Sequence, residues 1–139
     1  MHRFTRDGKL IKSWGQPGKT EPAQFHRPHS IAIAPDGKLY VGDRGNRRVQ
    51  IFSSEGDFIG MWTGMGGTND IARDQHGAFY LCEQKTETAP NFVSIRDDAG
   101  NALARWEIRQ AHGLGVDSHG DIDLGSTSHK AVDKYVLSS

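Results

Sequence analysis

Only one cysteine, Cys82, occurs in the chain, so no intrachain disulfide can form. Long apolar runs are missing as well: nothing approaches the roughly 18 residues of a membrane-spanning helix. The opening stretch, MHRFTRDGKLIKSW, lacks the apolar core of a signal peptide. These absences lead to the expectation of a soluble, cytoplasmic chain with no membrane partner. There is no excess of either charge, with Lys+Arg and Asp+Glu at 17 each. Nucleic-acid binders usually carry a basic surplus, so a nucleic-acid partner is not expected. The small clusters Arg44, Arg47, Arg48 and Arg3, Arg6, Lys9, Lys12 are expected to be solvated strand ends and turns. No window sustains a 3.6-residue apolar period, which excludes solenoids of helices.

Glycine, in contrast, is plentiful, with 17 copies in 139 residues. That suits many tight turns in one domain, since glycine reaches positive φ without steric cost. The glycines also mark a repeat. HSIAIAPDGKLYVGD (from His29), NDIARDQHGAFYLCE (from Asn69) and HGLGVDSHGDIDLGS (from His112) share an alternating apolar segment, a glycine turn and a second alternating segment. Ile31 and Ile33, Ile71, and Leu114 and Val116 mark the first segments. Leu39 and Val41, Phe79 and Leu81, and Ile122 and Leu124 mark the second. Period-two alternation around such turns predicts β-hairpins.

A second repeat runs from glycine to tryptophan in DGKLIKSW, EGDFIGMW and AGNALARW. All three tryptophans of the chain, Trp14, Trp62 and Trp106, occupy that one position, and they are expected to pack between repeats. The combined unit is four short antiparallel strands in about 40 to 45 residues, which fits a β-propeller blade.

With strands lettered a to d from the axis outward, residues 1–15 give strands c and d of one blade. Blade one is expected at 24–62, blade two at 67–106 and an incomplete blade three at 110–137, all in a single domain, 1–139. About three blades are too few to close a ring. Two arrangements remain open: a piece of a longer propeller, or a homodimer in which two chains form a six-bladed ring.

The first full blade, QFHRPHSIAIAPDGKLYVGDRGNRRVQIFSSEGDFIGMW, resembles an NHL repeat, with its Phe-x-x-Pro-x-x-Ile-Ala opening, Tyr-Val-x-Asp strand and Asn-x-Arg-Val-Gln-x-Phe strand. The resemblance implies an all-β NHL-type propeller in which Asp43 caps a turn or pairs with Asn46 and Arg48. Glu83 and Ser126 stand at the equivalent position. More narrowly, RPHSIAI and QAHGLGV are similar to strand openings of the peptidyl-α-hydroxyglycine α-amidating lyase branch. There, histidines of alternate blades face the axial channel and bind zinc. That similarity implies His29 and His112 as zinc ligands, with Asn69 at the histidine position of the blade between.

His26, Asn69 and Asp70 are expected to line the same channel. Zinc requires three or four ligands, and the family's third histidine belongs to a further blade. The family's catalytic tyrosine has no counterpart in the loops DRGNRR and EQKTETAPN, and its arginine lies in a part of the propeller outside this chain. His76 and His119 precede turn glycines and are expected in solvent; His129 carries no assignment. Two functions follow. One is a binding scaffold for a protein or small ligand, with a vestigial metal site. The alternative is a zinc-dependent lyase-like enzyme, complete only on assembly with a second half-propeller.

Overall fold

The computed structural model describes residues 1–136. The expected ends of blade three, at 137, and of the domain, at 139, lie outside the described residues. One turn geometry recurs throughout: in Thr5–Lys9, for example, the first amide donates to the fifth carbonyl and the fourth amide donates back to the first carbonyl. The same pair of bonds closes the turns that begin at Ala34, Ser53, Asp74, Asp97 and Asp117. The fourth residue is always glycine, with φ between +82° and +100°. This is the three-residue hairpin loop that needs a left-handed residue before the returning strand. In most copies the first side chain also helps. Asp97 Oδ1, for instance, accepts the amides of Ala99 and Asn101.

These turns join the strands β1 (His2–Phe4), β2 (Leu10–Ser13), β3 (Gln16–Pro17), β4 (Gln24–Phe25), β5 (Pro28–Ile33), β6 (Leu39–Asp43), β7 (Arg48–Phe52) and β8 (Phe58–Trp62). They continue through β9 (Gly67–Arg73), β10 (Phe79–Gln84), β11 (Asn91–Arg96), β12 (Ala102–Ile108), β13 (Gly113–Val116), β14 (Ile122–Ser126) and β15 (Ala131–Tyr135). Strands β5 to β8 form one four-stranded antiparallel sheet and β9 to β12 another. Among the described residues β13 to β15 form a three-stranded sheet, and β1 and β2 pair alone. The four-stranded antiparallel unit read from the repeats is therefore the observed one. The short parallel pair β3–β4 was not foreseen. Its strands are two residues each and carry no alternation. Arg48 holds the surrounding loop by donating to the carbonyls of Thr20, Glu21 and Gln24.

Each blade buries one face against the next. Tyr40, at the seam of the first two full blades, lies 4.3 Å from the Phe79 ring and 5.3 Å from Trp62, ring centre to ring centre. Ala32, Val49, Ile51, Ile71 and Leu81 complete that core. Tyr80, Cys82, Val93, Ile108, Ile122 and Leu124 fill the next seam. The glycine-to-tryptophan repeat acquires a physical meaning here. Gly56 lies against the indole of Trp14 from the preceding blade, and Gly100 lies against that of Trp62. A Cβ on Gly56 would stand 2.8 Å from the Trp14 ring, and one on Gly100 closer still. Trp106 instead meets Tyr135 at 5.9 Å.

The two outer faces of the stack differ. On the first, Ile31 is 47% and Ile33 66% exposed, whereas the equivalent Ile71 inside the stack is 4% exposed. Beside them is a hollow of about 370 Å³ bordered by Met1, Trp14 and Leu39. The last face is mixed: Val132 is 74% exposed on it, beside charged residues. Asp123 stands where Tyr40 and Tyr80 stand, and Lys134 Nζ reaches Asp117, Asp121 and Asp123 at 3.0, 3.5 and 3.4 Å. One expectation about charge requires correction: Arg48 is 5% exposed rather than solvated, because a buried carboxylate and three carbonyls bind it.

Substituting Gly100→Ala or Gly56→Ala adds the strain of a left-handed alanine to a clash with an indole. The expected loss is about 3 kcal/mol in denaturant unfolding. Gly8 has the same positive φ but open space around it, so Gly8→Ala is expected to cost about 1 kcal/mol. Equal losses at all three positions would show that the indole contact contributes nothing.

Candidate functional site

The first strand of each full blade starts on the inner edge of the stack, and β5, β9 and β13 lie side by side there. This brings residues 29, 69 and 112 together. The His29 and His112 rings stand 5.2 Å apart, centre to centre, at an interplanar angle of 68°. His29 Nδ1 is 2.6 Å from the Asn69 carbonyl oxygen. A carbonyl only accepts, so His29 donates from Nδ1, and Nε2 is the nitrogen left outside that bond. A carbonyl bond of this kind orients metal-binding histidines. His112 is anchored through its backbone, its amide donating to the Gly125 carbonyl at 2.7 Å. Its Nδ1 is buried without a hydrogen-bond partner among the described residues. The ring also borders a hollow of about 480 Å³ on the open face of β13–β15.

Asn69, between the two histidines, is 1% exposed. Its Nδ2 donates to the Ala111 carbonyl at 2.8 Å, and its Oδ1 accepts from Arg44 at 3.4 Å. Asp70 accepts the amides of Ile71 and Leu114, at 2.9 and 2.8 Å. Both side chains thus tie the second full blade to the third. The His26 amide donates to Asp43 Oδ1 at 2.8 Å. Two imidazoles with free nitrogen positions suit zinc as a partial donor set. Among the described residues no group of three His, Cys, Asp or Glu side chains is placed to hold a metal ion. A zinc held by His29 and His112 therefore requires a ligand from outside this set.

The buried carboxylates at the end of each second strand form a graded series. Asp43 is fully buried and accepts from Arg48 at 2.9 Å, Asn46 at 2.7 Å and Gln50 at 3.1 Å. Glu83 holds the same position in the next blade but draws its cations from elsewhere: Arg96 at 3.1 Å and Arg105 at 2.9 Å, with Ser94 at 2.6 Å and the Gly66 amide at 3.0 Å. Sequence reasoning missed Arg96 and Arg105, because neither occupies the Asn-x-Arg position. In the third blade Ser126 pairs with His129 at 3.1 Å, with no carboxylate. Burial pushes the Glu83 carboxyl up, but the bonds from Ser94, Gly66 and Arg96 and the charge of Arg105 outweigh it and hold the group below its ordinary value. Cys82 is packed in the second seam, and burial pushes its thiol up to about 12, which leaves it unreactive as a nucleophile.

Residues 25–52 match the family model of the NHL repeat. NHL repeat-containing protein 3 of Homo sapiens is 36% identical over 61 residues, covering 43% of this chain and 17% of that protein. Peptidyl-glycine alpha-amidating monooxygenase A of Xenopus laevis is 40% identical over 62 residues, covering 41% of this chain and 7% of that protein. Among solved structures, a protein of unknown function from Bacteroides caccae superposes with a TM-score of 0.68 at 17% identity, over 98% of this chain and 49% of that one. Virginiamycin B lyase from Staphylococcus aureus superposes with a TM-score of 0.56 at 14% identity, over 81% and 42%. The matches span less than a fifth of these curated relatives and less than half of these solved chains. At such identities the structural likeness shows the fold alone, and that fold is the β-propeller.

Because the folded-state pKa of Glu83 is depressed, its stabilisation is complete above the unfolded value of about 4.3 and is lost as pH falls through the folded value. Glu83→Gln leaves Arg96 and Arg105 facing a neutral group and is expected to cost about 3 kcal/mol at pH 7. The difference between the variant and the parent should shrink as denaturant unfolding is repeated from pH 5 to pH 3. A difference that does not change with pH would remove the carboxylate from this role.

Proposed function

We propose that this chain, an NHL-repeat protein built of β-propeller blades, is a binding scaffold that works as one half of a ring completed by a second half-propeller. The observation that carries this reading is the first face of the stack. Ile31 and Ile33 lie in solvent at the position where Ile71 is covered by its neighbouring blade. A blade that cannot bury its apolar face alone is stabilised by the next one in line. The likeness to about half of longer propellers supports the same reading. The scaffold's ligand would be a protein segment or a small molecule taken at the inner edge of the blades.

The nature of the second half follows from face chemistry. In a head-to-tail pair of identical chains, Asp123 and Lys134 would meet Ile31, Ile33 and Leu39. A homodimer closed in this way would cover the exposed Val132 but also bury the Asp123 and Lys134 charges at a cost, since a buried charge needs partners. The Asp123–Lys134 contact supplies one such partner within the chain.

A second reading is favoured by the His29–His112 pair together with the similarity to the amidating monooxygenase. In it the completed ring is a zinc-dependent lyase-like enzyme. The second half contributes the missing ligand next to His112, at the open face of β13–β15.

Light scattering across a concentration series, with zinc measured on the same peak, tests both readings. The scaffold reading expects association at high concentration that Ile31→Lys with Ile33→Lys abolishes, without zinc. Association with stoichiometric zinc, lost in His29→Ala and His112→Ala, supports the lyase-like reading. A stable monomer at every concentration, with fully protected β5 amides in hydrogen exchange, overturns assembly through this face.

A further inference from the structure

The neutral total of charges conceals a separation along the blades. The turns joining first to second and third to fourth strands all lie at one end, and each carries at least one acidic residue, such as Asp36, Asp57, Asp97 or Asp117. The opposite end holds the loops from second to third strands and the entries to the first strands. There, between the first two full blades, a cavity of about 240 Å³ is lined by His26, Arg27, Arg44, Arg47, Gln84 and Lys85, together with two glycines.

No acidic side chain lines this cavity. Asp43 and Glu83, beside Arg44 and Gln84 in sequence, are buried and committed to Arg48, and to Arg96 and Arg105, respectively, and Glu87, on the loop of Lys85, does not line the cavity. Among the described residues, none of Arg27, Arg44, Arg47 and Lys85 forms a salt bridge. Among the described residues their one side-chain hydrogen bond is that of Arg44 to Asn69 at 3.4 Å, a weak one. Arg27 and Arg47 are also held at φ 57° and 52°, a conformation uncommon outside glycine. The Arg47 amide is fixed by the Arg44 carbonyl at 3.2 Å. Four cations thus border one small polar hollow that no carboxylate lines.

We propose that this cavity binds a multiply charged oxyanion of the phosphate class. Three guanidinium groups supply planar pairs of donors that match phosphoryl oxygens, and Lys85 adds a point charge. A singly charged carboxylate would neutralise only part of the cluster. The volume suits one phosphoryl group with a few attached atoms. This assignment does not depend on metal binding or on ring closure.

Calorimetric titration of the full chain with pyrophosphate at low ionic strength tests it. Saturable one-to-one binding is expected. Arg27→Gln with Arg47→Gln should weaken it at least about tenfold, because charged hydrogen bonds are lost. Lys9→Gln, on the exposed turn at the other end, should leave it unchanged. Both cavity arginines are exposed, so the double variant is expected to keep its fold, checked by its unfolding curve. Phenyl phosphate binding as tightly as pyrophosphate would assign the site to a phosphoryl group on a larger molecule, and pyrophosphate alone to the free anion. Unaltered binding in the double variant would overturn the site. So would single-stranded RNA binding that pyrophosphate does not displace, since that would belong to an extended surface.

Discussion

The stacking of one blade's inner face on the next is the interaction on which the remaining features depend. A four-stranded sheet of this size has two faces and cannot cover either by itself. Ile71, Phe79 and Leu81 become core only because Tyr40, Ala32 and Trp62 lie across from them. Spacing between blades is set at the outer rim, where an indole lies flat on a glycine turn. A side chain on that glycine would push the rim apart. The requirement is twofold, for a left-handed residue and for one without a Cβ, and glycine alone meets both.

Near the inner rim, polar groups take over from apolar ones. Buried carboxylates fold the start of the next loop onto the sheet. Asp43 gathers Arg48, Asn46 and the His26 amide, and through Arg48 it fixes the residue 20–24 loop. Glu83 performs the same task with arginines from two other strands. Satisfying a buried charge in a low-dielectric seam demands several donors at once, and the geometry leaves open which strands supply them. That freedom explains why the two blades solve one problem with different residues.

The same distinction explains what could be read from the sequence. Strand order and turn positions were legible, because alternation and the glycine of the hairpin loop are local signals. The meeting of His29 and His112 followed from their shared place in the repeat. Arg96 and Arg105 were not legible as partners of Glu83, since the contacts cross strands and follow no spacing. Arg48 was misread as solvated, because its exposure depends on a loop whose two-residue strands leave no pattern. The charge separation was hidden too. A neutral sum says nothing about which end of a blade each turn occupies, and only the antiparallel topology assigns Asp36 to one end and Arg44 to the other.

The inner edge therefore combines two unlike environments within a few residues. Among the described residues His29 and His112 belong to no group of three His, Cys, Asp or Glu placed to hold a metal ion, while Arg44 reaches from the basic cavity to Asn69, whose carbonyl orients His29. Asn69 thus touches both. A shift of the Arg44 guanidinium toward an anion would release the Asn69 side chain, whose other bond runs to Ala111 beside His112. The backbone of Asn69, locked in β9, would still hold His29 in its tautomer. An anion in the cavity and a ligand at the histidines are consequently expected to interact weakly, because the connection between them runs through one long side-chain bond while the stronger bonds stay in place. The two sites share an edge of the blades without sharing the groups that would couple them tightly.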